Sequence, residues 1–285
     1  MILLEPVQLP NSHNIFFLGD LHDGSILSSE QGWNKLINTI NSEYDGCSAN
    51  YAVDGGDMIE AIMVDDKRFS PEKLSEPLPL AQIGEAVKKR EPIKDKLLAI
   101  LMGNHERKLW RFGDITQEVC NKLGVQYGTF AAKLTVQDSK GNLMYKIYET
   151  HGSKTITSTA DDPKRRKANM ELILKRHLKF KAGDCAVMIK HHAHKLLVCK
   201  PEPELYLTDD SKKISQQYTS WGQAEPYIHP DARWYGCAGS FLKLFGKGVS
   251  GYAEIFELDP VELGWLVLKV RNKRIVALEP YFLSV

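Results

Sequence analysis

Five short polar fragments hold most of the residues whose types suit chemistry: Asp20 and His22 in GDLHD, Asp57 in GGDMIE, Asn104 and His105 in GNHE, His151 in THG, and His192 and His194 in HHAH. Carboxylate and amide oxygens mixed with imidazoles suit borderline divalent cations such as Mn²⁺, Fe²⁺ or Zn²⁺, rather than a calcium cage or a thiolate site. Burying such carboxylates stops being prohibitive once a cation pairs with them. Taken singly, each fragment has a bland reading: Asp-x-His is common, and GNHE could be a turn whose histidine caps a helix. Five fragments in order, each following an apolar run, make accident implausible. His13, His177 and His229 lack such company and read as surface or satisfied core histidines. Glu60 and Glu106 suit orienting or ion-pair roles, and Asp23 is near the first fragment without that making it a ligand.

The elements that must position these residues follow from periodicity. Ile15, Phe16, Phe17 and Leu18 predict a buried strand that ends at Asp20. EQGWNKLINTINSEY, residues 30–44, sets Trp33, Leu36, Ile37 and Ile40 on one helical face. NYAVDGGD predicts a second strand and KLLAILMGNHE a third, so strands alternate with helices and present polar loops at one rim. AKLTVQD and MYKIYETHG flank the turn 139–142 as an antiparallel hairpin. A helix follows from a capping Asp and Pro163, with Met170, Ile173, Leu174, His177 and Leu178 on one face, and then a strand in CAVMIKHHAH. YAEIFEL and the pair GWLVLKVRN and KRIVALEPYFL predict a second, largely antiparallel sheet.

The chain of 285 residues is 43% hydrophobic, enough for a substantial core. Lys plus Arg number 37 against 36 Asp plus Glu, so no global charge points to nucleic acid or membrane. No apolar run approaches the roughly 18 residues of a spanning helix, and the opening MILLEPVQLPNSHN lacks the basic start of a signal peptide, so a cytoplasmic location is the expectation. Cys47, Cys120, Cys185, Cys199 and Cys237 are odd in number and contain no CxxC, which predicts reduced, buried thiols. Residues 60–80 and 200–235 read as irregular insertions on one domain spanning 1–285. The second is dotted with Tyr206, Tyr218, Trp221, Tyr227, Trp234 and Tyr235.

The ordered fragments GDLH (19–22), GDMIE (56–60), GNHE (103–106), His151 and HHAH (191–194) resemble the calcineurin-like metallophosphoesterases, and CAGS (237–240) is similar to that family's trailing small-residue turn. The resemblance implies an α/β fold of two packed mixed β-sheets flanked by helices, a four-layer sandwich. It implies two divalent metal ions, one held by Asp20, His22, Asp57 and His194 and the other by Asp57, Asn104, His151 and His192. It also implies hydrolysis of phosphate esters by a metal-bridging hydroxide, with His105 beside the metals stabilising charge or protonating the leaving oxygen. His191 departs from the family's usual glycine; it either replaces a small residue in the turn or adds a group to the site.

Substrate is read from local charge. Segment 164–181 carries Lys164, Arg165, Arg166, Lys167, Lys175, Arg176, Lys179 and Lys181, and segment 88–111 carries Lys88, Lys89, Arg90, Lys94, Lys96, Arg107, Lys108 and Arg111. Both flank site fragments, so they either form a positive rim for DNA or RNA or are solvated helix faces, at even odds. A phosphodiesterase acting on nucleic acid or nucleotides is the first expectation. A phosphomonoesterase acting on phosphoprotein or a small metabolite is the alternative, and a non-catalytic scaffold comes last because the ligand set is complete.

Overall fold

In the computed structural model, two short strands, β1 (Ile2–Leu3) and β2 (Val7–Gln8), precede β3 (His13–Leu18), which is buried along its whole length. The structure describes all residues except 67, 68, 70–72, 220–222, 224, 225, 249–251 and 285. Side chains alternate across a strand, so Ile15 and Phe17 enter one core while Phe16 and Leu18 enter another. Each such burial stabilises by about 1.5–3 kcal/mol. From Ile15 to Leu18 both faces of β3 are therefore apolar, with His13 and Asn14 at its start and Asp20 just past its end.

β3, β4 (Asn50–Asp54), β5 (Leu97–Ile100) and β6 (Gln126–Tyr127) run parallel in one sheet. The second sheet is mixed. Its path is β1, β7 (Ala131–Gln137), β8 (Leu143–Thr150), β9 (Val187–Lys190), then a later strand Trp234–Cys237, then β10 (Leu197–Cys199). β2 also pairs with β7. A separate two-stranded hairpin joins β11 (Leu205–Asp209) to β12 (Ile214–Tyr218), and Trp234–Cys237 is β13.

Helices cover the outer faces. α1 (Glu30–Asn41) starts at Ser29, whose hydroxyl accepts from the Gly32 amide, and buries Trp33, Leu36, Ile37 and Ile40. With α2 (Pro79–Arg90) and the later α4 it packs on the first sheet. α3 (Asn104–Lys108) is a short helix after β5, and α4 (Ile115–Leu123) follows it. α5 (Pro163–Leu178) is capped by Asp162 and sets Leu174 and Leu178 against Met188 and Tyr235 of the second sheet. The order is helix, sheet, sheet, helix, the four-layer sandwich that the resemblance implied. No helix among the described residues is long and apolar enough to cross a membrane.

Three expectations require correction. The C-terminal pair, β14 (Gly264–Arg271) and β15 (Arg274–Phe282), builds no second sheet; β14 pairs antiparallel with β3 and extends the first sheet to six strands. YAEIFEL is not a strand, because Tyr252–Ile255 forms a one-turn helix, α6, closed by the Leu258 amide donating to the Ala253 carbonyl. Residues 200–235 are not wholly irregular, since they contain the β11–β12 hairpin and the start of β13. Trp221 and Pro71 of the two insertions lie outside the described residues.

Candidate metal centre

Strand register brings the fragments together. Leu18 of β3 lies opposite Asp54 of β4, and past that point the Asp20 amide donates to the Gly56 carbonyl and the His22 amide to the Asp57 carbonyl. In the second sheet Thr150 lies opposite Lys190, so His151 and His192 emerge side by side, with ring centroids 5.4 Å apart. The Ser240 hydroxyl of the CAGS turn donates to the Asp20 carbonyl at 2.9 Å. Every fragment thus leaves its sheet at the carboxyl ends of the strands, where open α/β sheets place ligands.

The backbone there is strained. Asp20, His22, Asp57, His192 and His194 all have positive φ, between 49° and 72°, a region that costs a non-glycine residue of order 1–3 kcal/mol. These left-handed residues turn the chain sharply and aim side chains back over the strand ends. Close approach is secured by glycine: a Cβ on Gly103 would stand 2.1 Å from Asp57 Oδ1, and one on Gly55 would stand 2.2 Å from the His191 ring.

Two donor clusters sit where the resemblance implied them, and a third group, His22, Glu60 and His105, shares His22 with the first. The ligand atoms of Asp20, His22 and His194 lie within 4.8 Å of one another, as do those of Asp57, His151 and His192. Asp57 lies between the clusters: its Oδ2 is 3.2 Å from His151 Nε2 and 3.9 Å from His22 Nε2. Asn104 joins the second cluster, its Oδ1 being 3.1 Å from His151 Nε2. The Asp20 carboxylate meets His194 Nε2 at 3.0 Å and the His192 amide at 3.3 Å.

Outer hydrogen bonds fix the rings. His22 Nδ1 donates to Glu60 at 2.8 Å, and His151 Nδ1 donates to the Gly55 carbonyl at 2.7 Å. In the neutral form of each ring the lone pair then belongs to Nε2, the nitrogen turned toward the carboxylates. His22 Nε2 is buried and has no hydrogen-bond partner. A buried acceptor facing other acceptors is a poor arrangement for protein alone and a fitting one for a cation.

Charge within the site follows the same geometry. Burial would raise the Asp57 carboxyl, but His151, His105 and His22 hold it well below the usual range. Burial opposes protonation of His151, yet the Asp57 charge lifts it to about 9, so an incoming cation displaces a proton there. Burial, followed by the nearby His151 charge, lowers His192 to about 4.

His105 is placed beside the clusters. Its amide donates to Asp57 Oδ1 at 2.8 Å, its Nδ1 donates to the Glu60 carbonyl at 2.5 Å, and its ring meets that of His22 edge-on at 4.5 Å. Glu106 ties the loops together, accepting from the amides of Gly103, Asp57, Met58 and Ile59. His191 joins neither cluster: it is buried, bonded to Glu149 at 2.7 Å, and its ring fills the space left by Gly55. Asp23 pairs with Lys89 at 2.5 Å and belongs to neither donor cluster. Sequence reasoning missed Asp54, which accepts from Arg90 at 2.7 Å and from the Gly56 amide at 2.9 Å and so braces the turn before Asp57. The signal was present in Asp54 standing directly after the apolar run Tyr51, Ala52 and Val53.

A cavity of about 280 Å³ opens over His22, Asp57, Asn104, His105, His192 and His194. The basic segments lie elsewhere. Apart from Asn104 and His105, no residue of 88–111 or 164–181 lines it. Lys88 pairs with Glu85, Lys89 with Asp23 and Glu30, Arg90 with Asp54 and Lys94 with Glu91, while Lys96 bonds the Ile40 carbonyl. Lys108 pairs with Asp66, Arg111 with Asp65, and Arg107 lies over Trp110. The basic residues of α5 are mostly exposed, on a helix whose other face packs on β9, β10 and β13.

A family model described as calcineurin-like phosphoesterase matches residues 13–220, well over half of the chain. A comparison with curated proteins finds no significant match.

Proposed function

The chain belongs to the calcineurin-like phosphoesterase family, a group of metal-dependent phosphoric ester hydrolases, and from that premise we propose that it is a phosphodiesterase dependent on two divalent ions and acting on nucleotide-sized substrates. Asp20, His22, Asp57 and His194 would hold one ion, and Asp57, Asn104, His151 and His192 the other. Ions held by these residues would supply Lewis-acid chemistry toward phosphate oxygens and water. Mn²⁺, Fe²⁺ and Zn²⁺ all suit this donor set.

The protein's own groups do the rest. Glu60 and the Gly55 carbonyl keep His22 and His151 in the tautomer that presents Nε2. With Nδ1 of His105 committed to the Glu60 carbonyl, proton exchange at that ring falls to Nε2, which gives His105 the part of the acid that protonates the leaving oxygen. Burial of the floor keeps these interactions in a low dielectric, where they are stronger than in water.

The observation that carries this reading is His22 Nε2, an orphaned buried acceptor in a ring of carboxylates and imidazoles. The diester preference is supported by walls on two sides of the cavity: the turn at 25–28 is bridged to Leu74 through Ser25 and to Leu242 through Ser28. We take these two walls to contact an organic group on each side of phosphorus. A nucleotide is favoured over polymeric DNA or RNA because segment 88–96 spends its charge within the chain. The test is hydrolysis by metal-stripped protein after addition of Mn²⁺. Restored turnover, faster with bis-p-nitrophenyl phosphate than with p-nitrophenyl phosphate, supports the reading. The reverse order points to a monoesterase, and activity without metal contradicts the mechanism.

A further inference from the structure

Resting on that reading, we infer that Lys73 and Lys243 form a second anion subsite in the same cavity, and that the substrate is a small organic diphosphate whose second phosphate binds there. Both lysines line the cavity and are half-buried. Neither forms an ion pair with a described residue, unlike the lysines of 88–94. An ammonium held in a partly dry cavity gains more from an anion than it would in water, and a lysine acts on phosphate as a point charge.

Their backbones are pinned by one turn from opposite sides. The Ile26 amide donates to the Lys73 carbonyl at 2.9 Å, and the Lys243 amide donates to the Leu27 carbonyl at 3.0 Å. Each lysine is therefore carried on a wall fixed to the rest of the site. Leu74, Leu242 and Leu244 stand beside them in the cavity lining and offer apolar surface to the organic body of the ligand. A volume of about 280 Å³ is at the lower end of small-molecule pockets, roughly 300–1,000 Å³. It suits one compact organic phosphate.

The test is titration calorimetry of the Mn²⁺-loaded protein with α,β-methylene adenosine diphosphate, which resists hydrolysis, and with orthophosphate. Methionine keeps the length of lysine without its charge, so Lys73→Met/Lys243→Met is the variant. The expected result is that it weakens binding of the diphosphate by about tenfold or more and leaves that of orthophosphate unchanged, with Lys→Arg at both positions restoring affinity. Equal affinity for the diphosphate in wild type and variant, or no saturable binding by wild type, overturns the subsite. Failure of wild type to hydrolyse any ester would instead sink the hydrolase reading, and the calorimetry separates the two.

Discussion

The cavity floor and segment 88–96 are both dense in charge and both adjoin a site fragment, yet they dispose of charge in opposite ways. In 88–96 each cation meets an acceptor of the chain itself, with Arg90 and Asp54 fully buried against each other at 2.7 Å. At the floor, acceptors face acceptors: Asp57 Oδ2 looks toward two imidazole Nε2 atoms, and one of these has no hydrogen-bond partner. Charge matched inside the chain is structure. Charge left unmatched, in a strained and glycine-tightened turn, is addressed to something from outside.

Substitutions can widen or close that contrast. Asp57→Asn, at the residue between both clusters, should cut bis-p-nitrophenyl phosphate hydrolysis about a thousandfold or more and lower bound Mn²⁺ by elemental analysis; an unchanged rate would erase the contrast. On the matched side, Arg90→Met leaves Asp54 buried and alone. Its expected cost is about 3–5 kcal/mol in denaturant unfolding, with the kcat of the folded fraction retained. His105→Ala should lower kcat by about 10²–10³ with metal content intact, whereas metal loss would move His105 into the ligand set.

His13 offers a histidine outside both regions. It is buried, with Nδ1 donating to the Pro10 carbonyl and Nε2 bonded to the Tyr145 hydroxyl. Burial, against the Pro10 bond and with help from Arg271, lowers it to about 4. The unfolded chain therefore binds a proton that the folded chain refuses. Stability is full above about pH 6.5 and declines toward pH 4 by up to about 3 kcal/mol. His13→Asn should flatten that slope in urea titrations across the range. Smallest of all, Lys88→Met and Lys94→Met should leave kcat/KM and its salt dependence unchanged; a strong salt effect lost in those variants would revive the nucleic-acid rim.

The site fragments were legible because each is short-range: an apolar run, a glycine and a ligand type within a few residues, as in GDLHD and GNHE. Strand and helix positions around them follow the same local logic, and the 131–150 hairpin and α5 form where periodicity placed them. What escaped was non-local. Nothing in GWLVLKVRN says that its partner is β3, some 250 residues away, since any apolar strand offers the same edge. YAEIFEL has β-forming residues, yet Tyr252–Ile255 is a turn of helix closed by the Leu258 amide on the Ala253 carbonyl. For the basic run at 88–96 the sequence left a positive rim and a solvated face both open, because its carboxylate partners Asp23, Glu30 and Asp54 are distant in sequence. The role of His191 likewise depended on Glu149 and Gly55, which only folding brings to it.

The central claim is that donors from two sheets close on a pair of cations. Anomalous diffraction from crystals soaked in Mn²⁺ tests it most directly. Two peaks are expected, one bonded to His22 Nε2 and the other to His151 Nε2, with Asp57 contacting both. Peaks only at the exposed group of Glu204, His229 and Asp231, or none at Asp57, would contradict it.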